Sequence, residues 1–459
     1  MRGADAPGWN LDAPAGIANH SQLRTSTGRP GRKANQMNDI LIKNGRVVDP
    51  ASARDEQADV AIARGKIARI GKVKAAARQT IDAAGRIVCP GLIDLHVHCR
   101  EPGHEEEETI ATAAEAAVAG GFTTILAMPN THPPMDNETA VQYVLQRAGE
   151  AGLARVLPVG CITNGREGKE LSEMGMMLAA GAVAFSDDGD GVASTSVMQR
   201  ALQYAKMLGV PLMQHCQEGD LAGGVMNSGA VAVRLGLGGI PASAEQIMLR
   251  RDLELVERIG GRYHVQHVTS AGSVELIREA KARGLPVTAE ATPHHLLLTD
   301  AACSSYDPNY KVNPPLRSAG DVDALRAGVA EGTIDCLATD HAPHAREEKE
   351  LEFGLAAFGI IGLECAVGLY AKALVQTELV DWPELIERMT IAPARAINRP
   401  LGRLAVGAAA DVTIIDPKAR WTVDTGKFRS RSRNCPYDGW RLVGRAVTTI
   451  VAGQVKFAL

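Results

Sequence analysis

From residue 37 to about 89, apolar and polar positions alternate in short runs: "DILIKNGRVVD", "ADVAIARGKIARIG" and "TIDAAGRIVCP", broken at NG, RG and AG pairs. Period-two alternation closed by such turns predicts antiparallel hairpins. The end of the chain has the same texture in "GRLAVGAAADVTIID" and "RAVTTIVAGQVKFAL", around "WTVD". Between these ends the pattern changes. Short apolar runs at 92–98, 123–128, 155–162, 182–186, 210–215, 262–267, 286–290 and 334–339 alternate with Ala-rich amphipathic stretches. Eight strands separated by helices predict an α/β fold, a parallel (β/α)8 TIM-like barrel. The alternative, a doubly wound open sheet, wants a Gly-rich phosphate turn after its first strand. None stands there, and "RLGLGGIP" (234–241) is expected in a loop. The β pieces at the two ends would pair into a small β-sandwich beside the barrel. The expected division is 37–91 and 399–459 for the sandwich and 92–398 for the barrel.

Composition narrows the class. A chain of 459 residues with 45% hydrophobic and 22% charged positions accommodates one large domain and a smaller one. The formal net charge is -4 and aromatics are 4%, so neither a basic track nor stacking rings point to nucleic acid. No apolar run is long enough to span a bilayer. The 8 cysteines are scattered without a CxxC pair, which reads as reduced thiols in a cytoplasmic protein. Residues 1–36, rich in Gly, Pro, Ser, Thr and Asn, show no period. They are expected to be a disordered extension, translated from upstream of a start at Met37.

If the barrel is right, polar groups should end its strands on the catalytic face. They do: His96 and His98, then Asp187-Asp188, His215, His267 and Asp340. Residues i and i+2 of a strand share a face, so His96 and His98 can grip one ion. Each signal alone has a plainer reading. A single histidine near a strand end is more often a packing residue, "SDDG" is usually a turn, and His267 has a competitor in His264, expected on the strand's other face. Coincidence at five strand ends is the weaker explanation. Four histidines and two carboxylates exceed one tetrahedral zinc site and fit two ions bridged by a carboxylate. The run "EEEE" (105–108) precedes a helical stretch and is expected as a solvated first turn favouring the helix dipole. "TPHH" (292–295) has no assignment and stays outside the metal shell.

With those residues laid out, the chain resembles the bacterial class I dihydroorotases of the amidohydrolase superfamily. The segments are "DLHVHCREPG" (94–103), "AMPNTHP" (127–133), "FSDDG" (185–189), "HVTSAGSVE" (267–275), "KVNPPLR" (311–317) and "ATDHAPHAREEK" (338–349), in family order over the barrel. Cys99 stands where an aliphatic residue is usual, and the stretch before Met37 is not covered. The resemblance implies reversible cyclisation of N-carbamoyl-L-aspartate to L-dihydroorotate, a step of pyrimidine synthesis. It implies two zinc ions per subunit, one on His96, His98 and Asp340 and the other on His215 and His267. The bridge would be an aspartate where relatives use a carboxylated lysine, Asp188 rather than Asp187. Asp340 would act as general base and then general acid on the proton of the attacking hydroxide. Arg100 and Asn130 would take the substrate's α-carboxylate, a match for a guanidinium fork. His98 and His344 would add contacts, and Asn313 with the backbone at Phe358 and Gly359 would hold the ring. The stretch 341–360, with Gly354 and Gly359, is the candidate lid.

Two rivals stand beside that reading. A hydantoinase or allantoinase shares HxH and barrel, yet would carry a bridging lysine where "FSDDG" stands. A non-catalytic homologue scaffolding an aspartate transcarbamoylase would have lost metal ligands that are all present here. The expected partners are the small-molecule substrate and a second copy in a homodimer, with an aspartate transcarbamoylase as a candidate. Neither nucleic acid nor membrane is expected.

Overall fold

The computed structural model describes residues 38–459; the extension expected at 1–36 lies outside the described residues. The chain opens with β1 (Asn38–Asp49), β2 (Arg54–Ala63), β3 (Lys66–Gly71), β4 (Ala77–Asp82) and β5 (Ile87–Pro90). The barrel strands begin with β6 (Leu92–Val97), β7 (Phe122–Ala127), β8 (Arg155–Gly160), β9 (Ala184–Phe185) and β10 (Pro211–Gln214). A short pair, β11 (Met226–Asn227) and β12 (Gly239–Ile240), precedes β13 (Arg262–Val265), β14 (Val287–Ala291) and β15 (Cys336–Leu337). The last strands are β16 (Val412–Thr422), β17 (Arg441–Val451) and β18 (Gln454–Ala458).

The two β ends join in one eight-stranded sheet, because β5 pairs antiparallel with β16. Strands β1, β2 and β3 form the expected hairpins. Strands β4 and β5 instead run parallel to β1. The cause is local: β1 bends at Asn44 (φ 60) and Gly45, so one edge serves β4 before the bend and β5 after it. A Cβ on Gly45 would stand 2.5 Å from Val88 Cγ2, so the bend needs glycine there. The stretch 234–241, expected as loop, holds the end of a short helix, Ala230–Leu235, and strand β12.

The eight barrel strands run parallel in the order β6-β7-β8-β9-β10-β13-β14-β15. The ring closes where Val97 bridges to His341 and His98 N donates to His341 O at 2.9 Å. Ile93 and Leu95 pack with Leu126, Val159, Met213 and Cys336, side chains drawn from five strands that fill the barrel interior. The helices between strands start and stop on local chemistry. Thr109 caps Ile110–Gly120, Ser270 caps Ala271–Ala282 and Ser318 caps Ala319–Ala330, each accepting an otherwise orphan amide. Gly121 ends the first of these at φ 96. Its last carbonyls are then taken by the other sheet: Thr413 Oγ1 donates to Gly121 O at 2.6 Å and Thr449 Oγ1 to Val118 O at 2.7 Å. Arg155 of β8 clasps Asp411 just before β16 (2.6 and 3.3 Å), a second tie between barrel and sheet. No helix among the described residues is long and apolar enough to cross a membrane.

Candidate active site

Strand ends gather His96, His98, Asp188, His215, His267 and Asp340 at one mouth of the barrel, all buried. Asp188 is the hub. Its Oδ1 lies 3.3 Å from His96 Nε2, 3.6 Å from His267 Nε2 and 3.8 Å from His215 Nδ1, and its Oδ2 is 3.5 Å from His98 Nε2. Two sets result, His96-His98-Asp188 and Asp188-His215-His267, each with ligand atoms within 4.8 Å of one another. Asp340 Oδ1 joins the first, 3.1 Å from His98 Nε2 and 3.5 Å from His96 Nε2. Asp187 faces the other way, as adjacent residues must. It accepts from Ile162 N (2.8 Å), Thr163 N (3.1 Å) and Thr163 Oγ1, so it fixes a loop.

The donor set fits a cation. His96 Nε2 and Asp188 Oδ1 are buried without a hydrogen-bond partner among the described residues, which is costly unless something else occupies them. Burial pulls the His215 imidazole down to about 3, and nearby His267 adds to it, leaving the neutral form that ligates metals. Burial opposes charge on Asp188 and Asp340 as well, yet His96 and its fellow imidazoles hold both carboxyls well below the usual range. Burial opposes a proton on His96 too, but three carboxylates, Asp188, Asp340 and Glu290, surround the ring and favour positive charge there.

The rings are aimed from behind. His96 Nδ1 lies 2.7 Å from Glu290 Oε1, whose Oε2 lies 3.0 Å from His264 Nε2; His264 Nδ1 meets Thr288 Oγ1 at 2.8 Å. His98 Nδ1 meets Asn130 Oδ1 at 2.8 Å. A carboxylate behind a ligating imidazole fixes its tautomer and orientation. Glu290 was missed in the sequence, although an acid inside the apolar strand "VTAEA" carries the same signal that marks Asp340: a buried charge needs a partner. His264, the competitor of His267, is this carboxylate's second partner.

Beside the cradle lies Arg100. Its Nε is 2.9 Å from both Pro343 O and Glu107 Oε2, and its Nη2 is 3.1 Å from His344 Nε2. His344 Nε2 also meets Phe358 O at 2.7 Å and its Nδ1 meets Glu348 Oε2 at 3.0 Å. Gly359 has φ 158, and a Cβ there would stand 2.7 Å from Ala342 O and from His344 Cδ2, so only glycine lets this backbone approach His344. The Asn313 side-chain oxygen is buried without a partner among the described residues. The stretch 341–360 is pinned by two residues to which sequence reasoning assigned no role. Lys349 Nζ donates to Ala357 O (2.8 Å) and Gly359 O (3.1 Å), and Asn434 Nδ2 to Ala342 O (2.8 Å) and Gly359 O (3.1 Å). A cleft of about 430 Å³ opens beside His344, Lys349 and Asn434.

The acidic run is a correction. Only Glu105 and Glu106 are solvated; Glu107 (4% exposed) and Glu108 (0%) are buried, and the helix begins later, at Ile110. Glu107 pairs with Arg100, and Glu108 takes Ser430 Oγ, Arg431 N and His341 Nε2. Their partners come from distant parts of the chain, which a local pattern does not reveal. Arg100 (φ 59), His267 (φ 29) and Asp340 (φ 47) are also held in the left-handed region. Such backbone costs about 1–3 kcal/mol each and clusters where a surrounding structure enforces a working geometry.

Known proteins bear on this site directly. A family model described as Dihydro-orotase-like matches residues 85–273. A dihydroorotase of Pelotomaculum thermopropionicum is 53% identical over 418 residues, covering 91% of this chain and 98% of its own. A dihydroorotase of an Anaeromyxobacter species (strain K) is 52% identical over 425 residues, covering 91% and 98%. Among solved structures, an L-hydantoinase (dihydropyrimidinase) from Arthrobacter aurescens matches with a TM-score of 0.83 at 29% identity, covering 92% of this chain and 96% of that one.

Proposed function

The chain belongs to the dihydroorotase family, and from that premise we propose that its barrel mouth binds two zinc ions bridged by Asp188, with Asp340 as general acid and base. The reaction is the reversible cyclisation of N-carbamoyl-L-aspartate to L-dihydroorotate in pyrimidine synthesis. The observation that carries the metal reading is Asp188, a member of both ligand sets with its Oδ1 unpaired. His96, His98 and Asp340 would hold one ion and His215 and His267 the other. When bound, the zinc pair would activate water and polarise the ring carbonyl.

The remaining work falls to the chain's own groups. Arg100, with Asn130 and His344, orients the substrate through its carboxylate, and Asn313 with the backbone at Phe358 and Gly359 holds the ring. Asp340 turns Oδ1 toward His96 and His98, which leaves Oδ2 to carry the proton. In ring opening that oxygen accepts the proton of the attacking water and hands it to the leaving ring nitrogen; cyclisation runs the same path backwards. A homodimer, an association with an aspartate transcarbamoylase and a cytoplasmic location belong to the same proposal.

The test is cyclisation of N-carbamoyl-L-aspartate by purified protein, beside a sample stripped of metal and one reloaded with zinc. Turnover lost on stripping and restored by zinc is the expected result. A zinc-loaded protein that is inert on N-carbamoyl-L-aspartate and opens hydantoins instead would overturn it.

A further inference from the structure

His294 is a buried ionisable group at the barrel mouth that neither the ion cradle nor the carboxylate pocket uses. It rides on the short helix Pro293–Leu297 that leaves the end of β14, which like β7 and β8 sends no ligand to the cradle. Its neighbour supplies the contrast. His295 is held at both nitrogens, Nδ1 by Thr292 Oγ1 at 2.7 Å and Nε2 by Pro314 O at 2.9 Å. The His294 ring stands edge-on against that anchored ring, with centroids 4.3 Å apart. It is 1% exposed, and its Nε2 has no hydrogen-bond partner among the described residues. That Nε2 lies 4.0 Å from Asp340 Oδ2. Asp340 Oδ1 is the oxygen turned to His96 and His98. The carboxylate therefore has a cradle side and a His294 side.

A gap of 4.0 Å is too long for a hydrogen bond. It is also too short for a water bridge, since two such bonds in series span roughly 5 Å. A shift of about 1 Å closes it to an N–H···O bond. We propose that His294 is a positioning residue for Asp340: with substrate bound, its Nε2–H closes on Asp340 Oδ2 and aims that oxygen at the ring nitrogen whose bond forms or breaks. His294 keeps its own proton throughout; the proton that moves is the one Asp340 carries between water and nitrogen. The inference rests on the reading of Asp340 as general base, and it gives the orphaned imidazole its partner in the working state.

His294→Phe keeps the ring volume and removes the donor, whereas His294→Gln restores a donor of similar reach. In zinc-reconstituted enzyme the Phe variant should lose kcat on the order of 100-fold, the loss that about an ångström of misplacement produces. The Gln variant should recover to within roughly 10-fold of wild type, because its amide N–H restores a donor. For both, KM and zinc content should stay at the wild-type values. A Phe variant with undiminished kcat, a loss confined to KM, no rescue by Gln or a fall in bound zinc would each overturn the inference. Failure of the parent reading looks different: if Asp340 is not the general base, Asp340→Asn keeps most of its kcat, whatever His294→Phe does.

Discussion

The proposed ion cradle and the proposed carboxylate pocket around Arg100 adjoin, yet their polar groups are arranged on opposite principles. In the cradle the near atoms point at one another unpaired, His96 Nε2 and Asp188 Oδ1 above all, while the far nitrogens of His96 and His98 are anchored by Glu290 and Asn130. In the pocket the Arg100 guanidinium and the neutral His344 ring already have partners, Glu107 and Glu348. The cradle therefore lacks something that a cation supplies, whereas the pocket must exchange internal partners to accept an anion. Strand ends carry the first and loops the second. Damage to the cradle should appear in turnover and metal affinity; damage to the pocket should appear in KM and its dependence on pH.

The largest effect is expected at Asp340. Asp340→Asn preserves shape but cannot carry the proton, and kcat should fall on the order of 1,000-fold in both directions. Steady-state rates of cyclisation and ring opening check this, and a variant retaining a tenth of the rate would remove Asp340 from the proton path. Next comes the anchoring behind the cradle. Glu290→Gln should weaken zinc binding by about 10- to 100-fold, read by competition with a chelator. The far nitrogens would matter less than the comparison holds if that affinity did not change.

The contrast also explains what could be read along the chain. All eight barrel strands fall on the expected apolar runs, and the ligand candidates sit at their ends, because period and position are local properties. Where lengths differ, burial extends beyond pairing: Ile334 and Ala338 are buried on either side of β15, which pairs only over Cys336–Leu337. The pairing of β6 with β7 shifts register between Asp94 and Val97, so His96 reaches the site from an irregular strand that simple alternation does not describe. The pocket was less legible. Glu107 and Glu108 look solvated until Arg100, His341 and Ser430 are brought to them, and Asn434 reaches Gly359 from 75 residues further along the chain. A balanced pocket hides from local pattern because each group's reason lies in another segment.

That balance yields the smallest and most specific effect. Burial pushes the Glu107 carboxyl up to about 7, against the pull of Arg100 and with help from Glu348. Between its ordinary 4.5 and about 7 the folded protein holds a proton that the unfolded chain has released. This group's contribution to stability therefore falls as pH rises through that window. The same window governs Arg100. Above about 7 an ionised Glu107 holds the guanidinium, and below it a neutral Glu107 yields Arg100 to the substrate's carboxylate. KM for N-carbamoyl-L-aspartate should then rise as pH passes upward through 7, by a few-fold, roughly 1 kcal/mol, the usual net worth of one exchanged polar interaction. Glu107→Gln should abolish the rise and leave kcat unchanged. A KM–pH profile that stays the same in the variant would show that Glu107 does not compete for Arg100. A KM raised evenly at every pH would show instead that Glu107 holds the guanidinium in place for the substrate, making the acid a support for the pocket.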